Sequence, residues 1–183
     1  MTGKELRVLM DKAIKEIAIP FFREKGFTGS YPHFRRIQED RINLLTFQFN
    51  RSEPSFVVEI SNCSPKGVQL GWGADIPPSK CTAHHMHRRH RIGSKQHNKD
   101  YWFDFSEEST NNETYTNGAK DNRRVMFLRG IKNLFLQSGK GENSNGVYTN
   151  RAKEILSYWQ EAETWWAEDP HEQRLALVPD AAI

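Results

Sequence analysis

The sequence lacks most of the features that reveal what a protein does. Its two cysteines, Cys63 and Cys81, are too few for a disulfide framework and do not form a CxxC pair, so we expect reduced thiols. No stretch approaches the roughly 18 apolar residues that a membrane-spanning helix needs, and the N-terminal residues do not resemble a secretory signal. These absences favour a cytoplasmic protein with no membrane partner.

Enzyme signatures are also missing. The chain contains no glycine-rich phosphate-binding loop, no GxSxG turn and no HExxH helix. Neither cysteine has an identifiable base, so nucleophilic catalysis is unsupported. We predict no catalytic residue and no cofactor, and we favour a binding role over an enzymatic one.

Carboxylates are absent from residues 76–99, which read IPPSKCTAHHMHRRHRIGSKQHNK. This stretch, called the basic segment below, contains five histidines and six Lys or Arg residues. Its formal charge of +6 exceeds the +3 of the whole chain and leaves the remainder at −3. Because the positive charge is focused in one place, it raises the local concentration of anions there.

In the middle of the chain, apolar and polar residues alternate with a period of two, which is typical of strands with one buried face. The clearest strands are residues 42–50, 55–61 and 68–72, with weaker ones at 33–38 and 101–105. Turn-forming residues separate them. The alternation favours an antiparallel sheet with one apolar and one largely polar face.

Helical patterns flank the strands. Leu6, Met10, Ala13 and Ile17 recur at helical spacing ahead of Pro20, which should end or kink that helix. Near the other end, residues 127–135 have an apolar face. A second apolar stripe follows, and its members repeat at spacings of three and four: Ala152, Ile155, Trp159, Ala162 and Trp166.

These patterns predict an α+β fold, in which an antiparallel sheet of about five strands carries an N-terminal helix and two C-terminal helices on one face. The apolar content of 37%, with eleven Phe and five Trp, is sufficient for one sizeable core. We therefore expect a single domain over 1–183, with a C-terminal helical part at about 121–167 and a tail at 168–183.

The order of several segments resembles a known family. They are GFTGSYPHFRR (26–36), LLTFQFN (44–50), SFVVEI (55–60), IPPSK with TAH (76–84), RIGS (91–94) and YWFDF (101–105). Over roughly residues 10–105 the chain is similar to the bacterial domain of unknown function 4304. The family has no established activity, so the resemblance implies no functional residue. The chain departs from the expected pattern at Glu53-Pro54, in place of a glycine-rich turn, and in its histidine excess at 84–90.

A metal site is one interpretation of the histidines, with His84 and His87 as the alternative ligands of a metal-dependent hydrolase. The basic segment contains no carboxylate, and Arg88, Arg89 and Arg91 lie among the imidazoles. A like charge about 7 Å away costs about 2 kcal/mol at an effective dielectric constant of about 20. We therefore favour a solvated basic loop without a metal.

Nucleic-acid or other polyanion binding through the His/Arg loop 80–99 is a second interpretation, because that loop leads into aromatic residues at 101–103. Strand alternation would instead bury Tyr101, Phe103 and Phe105. An internal anion is also available, since residues 161–180 are strongly acidic. The basic segment can dock there, within the chain or across a homodimer.

The polar sheet face is the third candidate site. It is expected to carry Thr46, Gln48, Glu59, Gln69, Trp102 and Asp104, together with Arg35 or Arg36. An aromatic ring among amides, carboxylates and a guanidinium suits a ligand- or peptide-binding surface. The predicted binding residues are Arg36, Gln48, Glu59, Arg88, Arg89, Arg91 and Trp102.

The function predicted from the sequence is that of a small accessory module that binds a protein or peptide, with toxin neutralisation as one role of that kind. Polyanion binding and metal-dependent hydrolysis are the alternatives.

Overall fold

The chain begins in the predicted N-terminal helix. This computed structural model describes residues 2–69, 74–106 and 146–168. Helix α1 spans Gly3–Ala13 and has a capping box, in which the Thr2 hydroxyl accepts the Glu5 N–H and the Glu5 carboxylate accepts the Thr2 N–H. A π turn at Ile14–Ala18 connects it to α2, Ile19–Glu24.

Pro20 was expected to end or kink the helix, and the helical path does not end there. Pro20 occupies the first turn of α2, where the missing proline N–H is best tolerated. The π turn immediately before it shifts the hydrogen-bond pattern, and the Ile19 N–H bonds to the Ile14 carbonyl. The helical path therefore continues to Glu24.

An antiparallel sheet follows, with the strand order β1-β2-β3-β4-β5 and with β6 also paired to β4. Because β5 and β6 lie one after the other along the same edge of β4, the sheet is five strands wide, as predicted. Its strands are β1 (Thr28–Ser30), β2 (His33–Ile37), β3 (Ile42–Phe49), β4 (Ser55–Cys63), β5 (His90–Arg91) and β6 (Phe103–Asp104).

The first face of the sheet carries the aromatic core. Leu45 pairs with Ile60, Phe47 with Val58 and Phe49 with Phe56, so that apolar side chains of β3 and β4 form adjacent rows. Phe56 also stacks on Phe103 of β6, with ring centroids 5.0 Å apart. The N-terminal helices cover this face.

Two C-terminal helices complete that layer. A short helix, α3 (Ser94–His97), precedes β6, and α4 (Gly146–Ser157) and α5 (Trp159–Glu168) follow one another with Tyr158 between them. All five residues of the predicted stripe from Ala152 to Trp166 are buried. The helix predicted over 127–135 and the tail after Glu168 lie outside the described residues. The α+β fold class is confirmed.

The second face of the sheet differs from the prediction, because both faces of β3 and β4 are buried. A second apolar cluster lies there, formed by Ile42, Leu44, Cys63, Val68, Cys81, Ala83 and Met86. Three of these residues belong to the basic segment, which folds over the face through 3-10 turns at Pro78–Lys80 and Ala83–His85. The alternation of apolar and polar residues in the strands could not predict that the basic segment covers this face, because the segment itself has no strand or helix periodicity.

Two predicted strands are shorter than expected. Val68 forms an isolated antiparallel bridge with Ile76, and residues 70–73 lie outside the described part of the chain. The strand predicted at 101–105 is reduced to Phe103–Asp104. Among the described helices, none combines the length and apolar character that a bilayer crossing requires.

Candidate functional site

A buried carboxylate lies at the centre of the second face. Glu59 is in the middle of β4, opposite Thr46 of β3 on one side and Arg91 of β5 on the other. The residue is only 3% exposed. Burying an ionised carboxylate is costly unless cations or hydrogen-bond donors surround it, so the neighbours of Glu59 define the site.

Three basic side chains from the basic segment surround Glu59. Arg91 Nε lies 3.3 Å from Oε1, and Arg89 Nη1 and His84 Nε2 lie 3.5 Å and 3.8 Å from Oε2. The side chains of Arg89 and His84 are each 42% exposed, so their outer surfaces face solvent. We call these four residues the Glu59 cluster.

Arg91 connects the cluster to residues 100–102, which follow the basic segment. Its Nη1 donates to Asp100 Oδ2 at 2.7 Å, and its guanidinium carbon lies 5.2 Å from the centre of the Trp102 ring. A cation over an indole face is attracted by the ring quadrupole. Glu59, Asp100 and Trp102 together fix the position of this guanidinium group.

Histidines extend the site towards β2. His33 Nδ1 lies 3.1 Å from the Thr46 hydroxyl, and the His33 and His84 rings meet edge to face at 5.5 Å. Burial lowers the pKa of His33, and the positive charges of His84, His85 and Arg35 lower it further. The surroundings of His33 therefore favour its neutral imidazole.

His85 has its own structural role beside the site. Burial, followed by the charge of His84, lowers its pKa. Its Nδ1 accepts the Thr82 N–H at 3.1 Å, which requires that nitrogen to be unprotonated. Both observations favour a neutral imidazole.

Buried residues hold the basic segment in place. Cys81, Ala83 and Met86 point into the second apolar cluster, while most side chains between and beyond them are exposed. The exposed ones are His84, His85, His87, Arg88 and Arg89. Main-chain contact adds to this, because the Ser61 hydroxyl donates to the Arg88 carbonyl at 2.5 Å. The basic segment therefore has a fixed backbone, and its basic side chains face solvent.

A second anchor joins the segment to α5. His90 Nε2 lies 2.6 Å from Glu161 Oε1, and the same oxygen accepts the Gly93 N–H at 3.0 Å. The His90 ring also stacks on Trp165, with ring centroids 5.9 Å apart. Docking of the basic segment on the acidic C-terminal stretch is thus confirmed within the chain for Glu161; residues from 169 onward lie outside the described part.

Four of the seven predicted binding residues come together here. Glu59, Arg89, Arg91 and Trp102 form one connected group. Gln48 is half-buried on the same face, two residues along β3 from Thr46, and the exposed Arg88 adjoins the cluster in sequence. From the sequence, the polar sheet face and the basic segment were predicted as separate candidate sites. In the structure they form one site.

The remaining predicted residue, Arg36, lies on the opposite face. Its guanidinium forms two contacts with Glu163, at 2.7 Å and 3.2 Å, and its Nε donates to Asn43 at 3.0 Å. The rings of Phe27, Trp159 and Trp166 surround it within 5.6 Å. These contacts give Arg36 a structural place between the sheet and α5, and Arg35 is the arginine that joins the second face.

Sequence reasoning missed His33 as a member of the site. The available signal was its alternation with Arg35 in β2, which places both side chains on the second face. The same reasoning treated Thr46 and Glu59 as surface residues, whereas both are buried. Within residues 2–69, 74–106 and 146–168, no group of three or more His, Cys, Asp or Glu side chains is arranged to hold a metal ion.

Comparison with known proteins places the chain in a family. A family model described as a domain of unknown function (DUF4304) matches residues 17–123, more than half of the chain. The chain belongs to this family. The match confirms the resemblance and contains the whole Glu59 cluster, whereas Glu161 and α5 lie beyond it. A search of the curated proteins gave no match, and a search of the solved structures gave none either.

Proposed function

We propose that this member of DUF4304 is a binding module whose partner is a protein that presents an acidic segment to the Glu59 cluster. The observation that supports this most is the position of Arg89, whose Nη1 lies against the buried Glu59 carboxylate beside Arg91 and whose side chain is 42% exposed. A guanidinium fixed on one side keeps further N–H donors on its other side, in a geometry that matches a carboxylate. Fixing it in advance also reduces the entropy lost on binding.

The surrounding charge supports an anionic partner. The basic segment carries +6 and contains no carboxylate of its own, and Glu59 and Asp100 are among the described residues that pair with its arginines. Arg88 and Lys80 add exposed positive charge near the cluster in sequence. Such a surface steers acidic partners towards it and depends on salt.

The aromatic residues favour a protein over a nucleic acid. Base stacking needs an exposed ring, but Phe103 is buried, and the Tyr101 hydroxyl donates to Glu154 while its ring stacks on His97. Trp102 already lies beneath Arg91. The rings next to the basic segment are therefore engaged within the fold, and carboxylate recognition is the chemistry that the arginines support best.

Peptide titration tests the proposal. Trp102 lies against Arg91, so tryptophan fluorescence should report a ligand at the cluster. The probes are a Glu/Asp-rich peptide, its Gln/Asn counterpart, and single-stranded RNA and DNA oligomers, each at low and at physiological salt. We expect the acidic peptide to bind, with an affinity that falls as salt rises, and its amide counterpart not to bind.

Two double variants with the same change in net charge locate the site. Arg88→Ala with Arg89→Ala should weaken the acidic peptide about tenfold or more. Lys4→Ala with Lys12→Ala, on α1 and away from the second face, should leave the affinity within about twofold. Equal losses in both variants, or no acidic-peptide binding at low salt, would overturn the proposal.

The same titration separates the alternatives. If RNA or DNA binds more tightly than the acidic peptide, polyanion binding replaces our proposal.

Trp102→Ala should weaken binding of the acidic peptide severalfold, because Arg91 loses the ring beneath it, and Trp102→Phe should restore most of that loss. The toxin-neutralising role and the His84/His87 hydrolase remain predictions from the sequence.

A further inference from the structure

Two thiols lie in direct contact beneath the basic segment. Cys63 ends β4, and Cys81 follows the 3-10 turn Pro78–Lys80. Their sulfurs are 3.4 Å apart, with the Cys63 S–H donating to Cys81 Sγ, and both residues are fully buried. Sulfurs this close, carried by two different segments, require that the backbone on both sides be held in register.

The surrounding chain supplies that register. Val68 and Ile76 exchange two main-chain hydrogen bonds of 2.9 Å, which tie the chain after Cys63 to the chain before Cys81. Gly67 has φ +86°, and a Cβ there would lie 2.2 Å from the Ile76 carbonyl oxygen. Only glycine permits this approach, so the two segments are packed as closely as the backbone allows.

The two thiols also differ chemically. The hydrogen bond from Cys63 lowers the pKa of Cys81 against the opposing effect of burial, and the Val68 main chain and the Arg35 charge lower it further. The same hydrogen bond, together with burial, raises the pKa of Cys63. Cys81 is thus the sulfur that ionises first, and Cys63 is the adjacent thiol that can resolve an oxidised Cys81.

We propose that Cys63 and Cys81 are a redox pair that forms a reversible disulfide in the folded protein. Forming an S–S bond of about 2.05 Å requires the sulfurs to approach by only about 1.4 Å. With hydrogen peroxide as oxidant, the Cys81 thiolate attacks one peroxide oxygen, the O–O bond breaks, and Cys81 sulfenic acid and hydroxide are formed; the hydroxide takes up the proton that Cys81 released and becomes the first water. The Cys63 sulfur then displaces the sulfenic oxygen as a second water, so that two thiols and one peroxide give one disulfide and two waters.

The disulfide would connect β4 covalently to the segment that covers Glu59. Ala83 and His84 follow Cys81 by two and three residues, so the bond anchors the cover immediately before the cluster. This inference rests on the thiol geometry alone and does not depend on what the cluster binds. The competing interpretation is that the thiols are simply small apolar side chains of the second cluster.

Peroxide treatment of the native full-length protein tests the pair. The reduced protein is exposed to hydrogen peroxide at neutral pH, quenched with catalase, unfolded, alkylated and digested. We expect mass spectrometry to find the peptides of Cys63 and Cys81 joined by a bond that dithiothreitol cleaves. We also expect no disulfide-linked dimer on a non-reducing denaturing gel.

Two controls make each outcome decisive. The same treatment in urea gives the reactivity of the thiols without the fold, and Cys63→Ala should convert the disulfide into sulfenic or sulfinic acid at Cys81. Both thiols staying fully alkylatable in the native protein, while they oxidise in urea, would overturn the proposal. Oxidation to sulfinic acids without a linked peptide would overturn it as well.

Discussion

The imidazole of His90 lies 2.6 Å from the carboxylate of Glu161 and stacks on Trp165, so one histidine of the basic segment is held on two sides by α5. Glu161 also accepts the N–H of Gly93, which follows β5. This contact joins the C-terminal helix, beyond the family match, to the segment that covers Glu59. The position of the basic segment therefore depends on α5 as well as on the sheet.

Removing the Glu161 charge tests that dependence. Glu161→Gln weakens the contacts to His90 and Gly93, and because the acceptor is a largely buried carboxylate, we expect a loss of about 1.5 kcal/mol in the free energy of unfolding. Urea denaturation measures it. Gln160→Ala, at the exposed neighbouring position, is the control and should change stability by less than about 0.5 kcal/mol. Equal effects in the two variants would show that the contact contributes nothing.

Arg36 gives a prediction that separates stability from binding. Arg36→Met removes the ion pair with Glu163 and leaves Asn43 without its guanidinium donor, so we expect the free energy of unfolding to fall by about 2 kcal/mol. Because Arg36 lies on the face opposite the Glu59 cluster, the affinity for the acidic peptide should stay within about twofold. If the folded variant no longer bound the acidic peptide, Arg36 would be part of the binding surface after all.

The histidines make stability depend on pH in a defined direction. The pKa of His33 is lowered, chiefly by burial and then by His84, His85 and Arg35, so the unfolded chain takes up a proton where the folded protein does not. The contribution of neutral His33 to the free energy of unfolding is fully present above the ordinary histidine pKa of about 6.5. It is lost as pH falls through that value towards the lower folded-state pKa.

Unfolding in urea between about pH 7.5 and about pH 5.5 measures this effect. His33→Asn retains a polar atom for Thr46 but does not titrate, so the variant should lose less stability on acidification than the wild type. Asn98→Gly is the control, because Asn98 caps the end of α3 with a φ of 51° that suits glycine and neither residue titrates. A variant with an unchanged acid slope would show that His33 is not the responsible group.

The sequence predicts the sheet well because its information is local. Alternation over residues 42–50 and 55–61 gives the strands, and the stripe from Ala152 to Trp166 gives a buried helical face. Periodicity reports which side chains of one element share a face, and these elements bury that face against each other. The family resemblance over roughly residues 10–105, which contain these strands, agrees with the match to residues 17–123.

The candidate site was predicted only in parts because its contacts are not local. Glu59 and Arg89 are 30 residues apart, and His90 and Glu161 are 71 residues apart. The segment that brings them together is pinned by Cys81, Ala83 and Met86, three positions without a strand or helix period. The composition of the segment showed where positive charge is concentrated. Which carboxylates pair with that charge is decided by the tertiary fold and could not be predicted from the sequence.

The affinity of Glu59→Gln for the acidic peptide tests the central claim, that the buried carboxylate positions Arg89 and Arg91 for an anionic partner. Charge alone predicts tighter binding, because a negative charge is removed from beneath the site. Positioning predicts weaker binding, because both guanidinium groups lose the acceptor that holds them. We expect the folded variant to bind at least about fivefold more weakly at physiological salt. Equal or tighter binding would contradict the account.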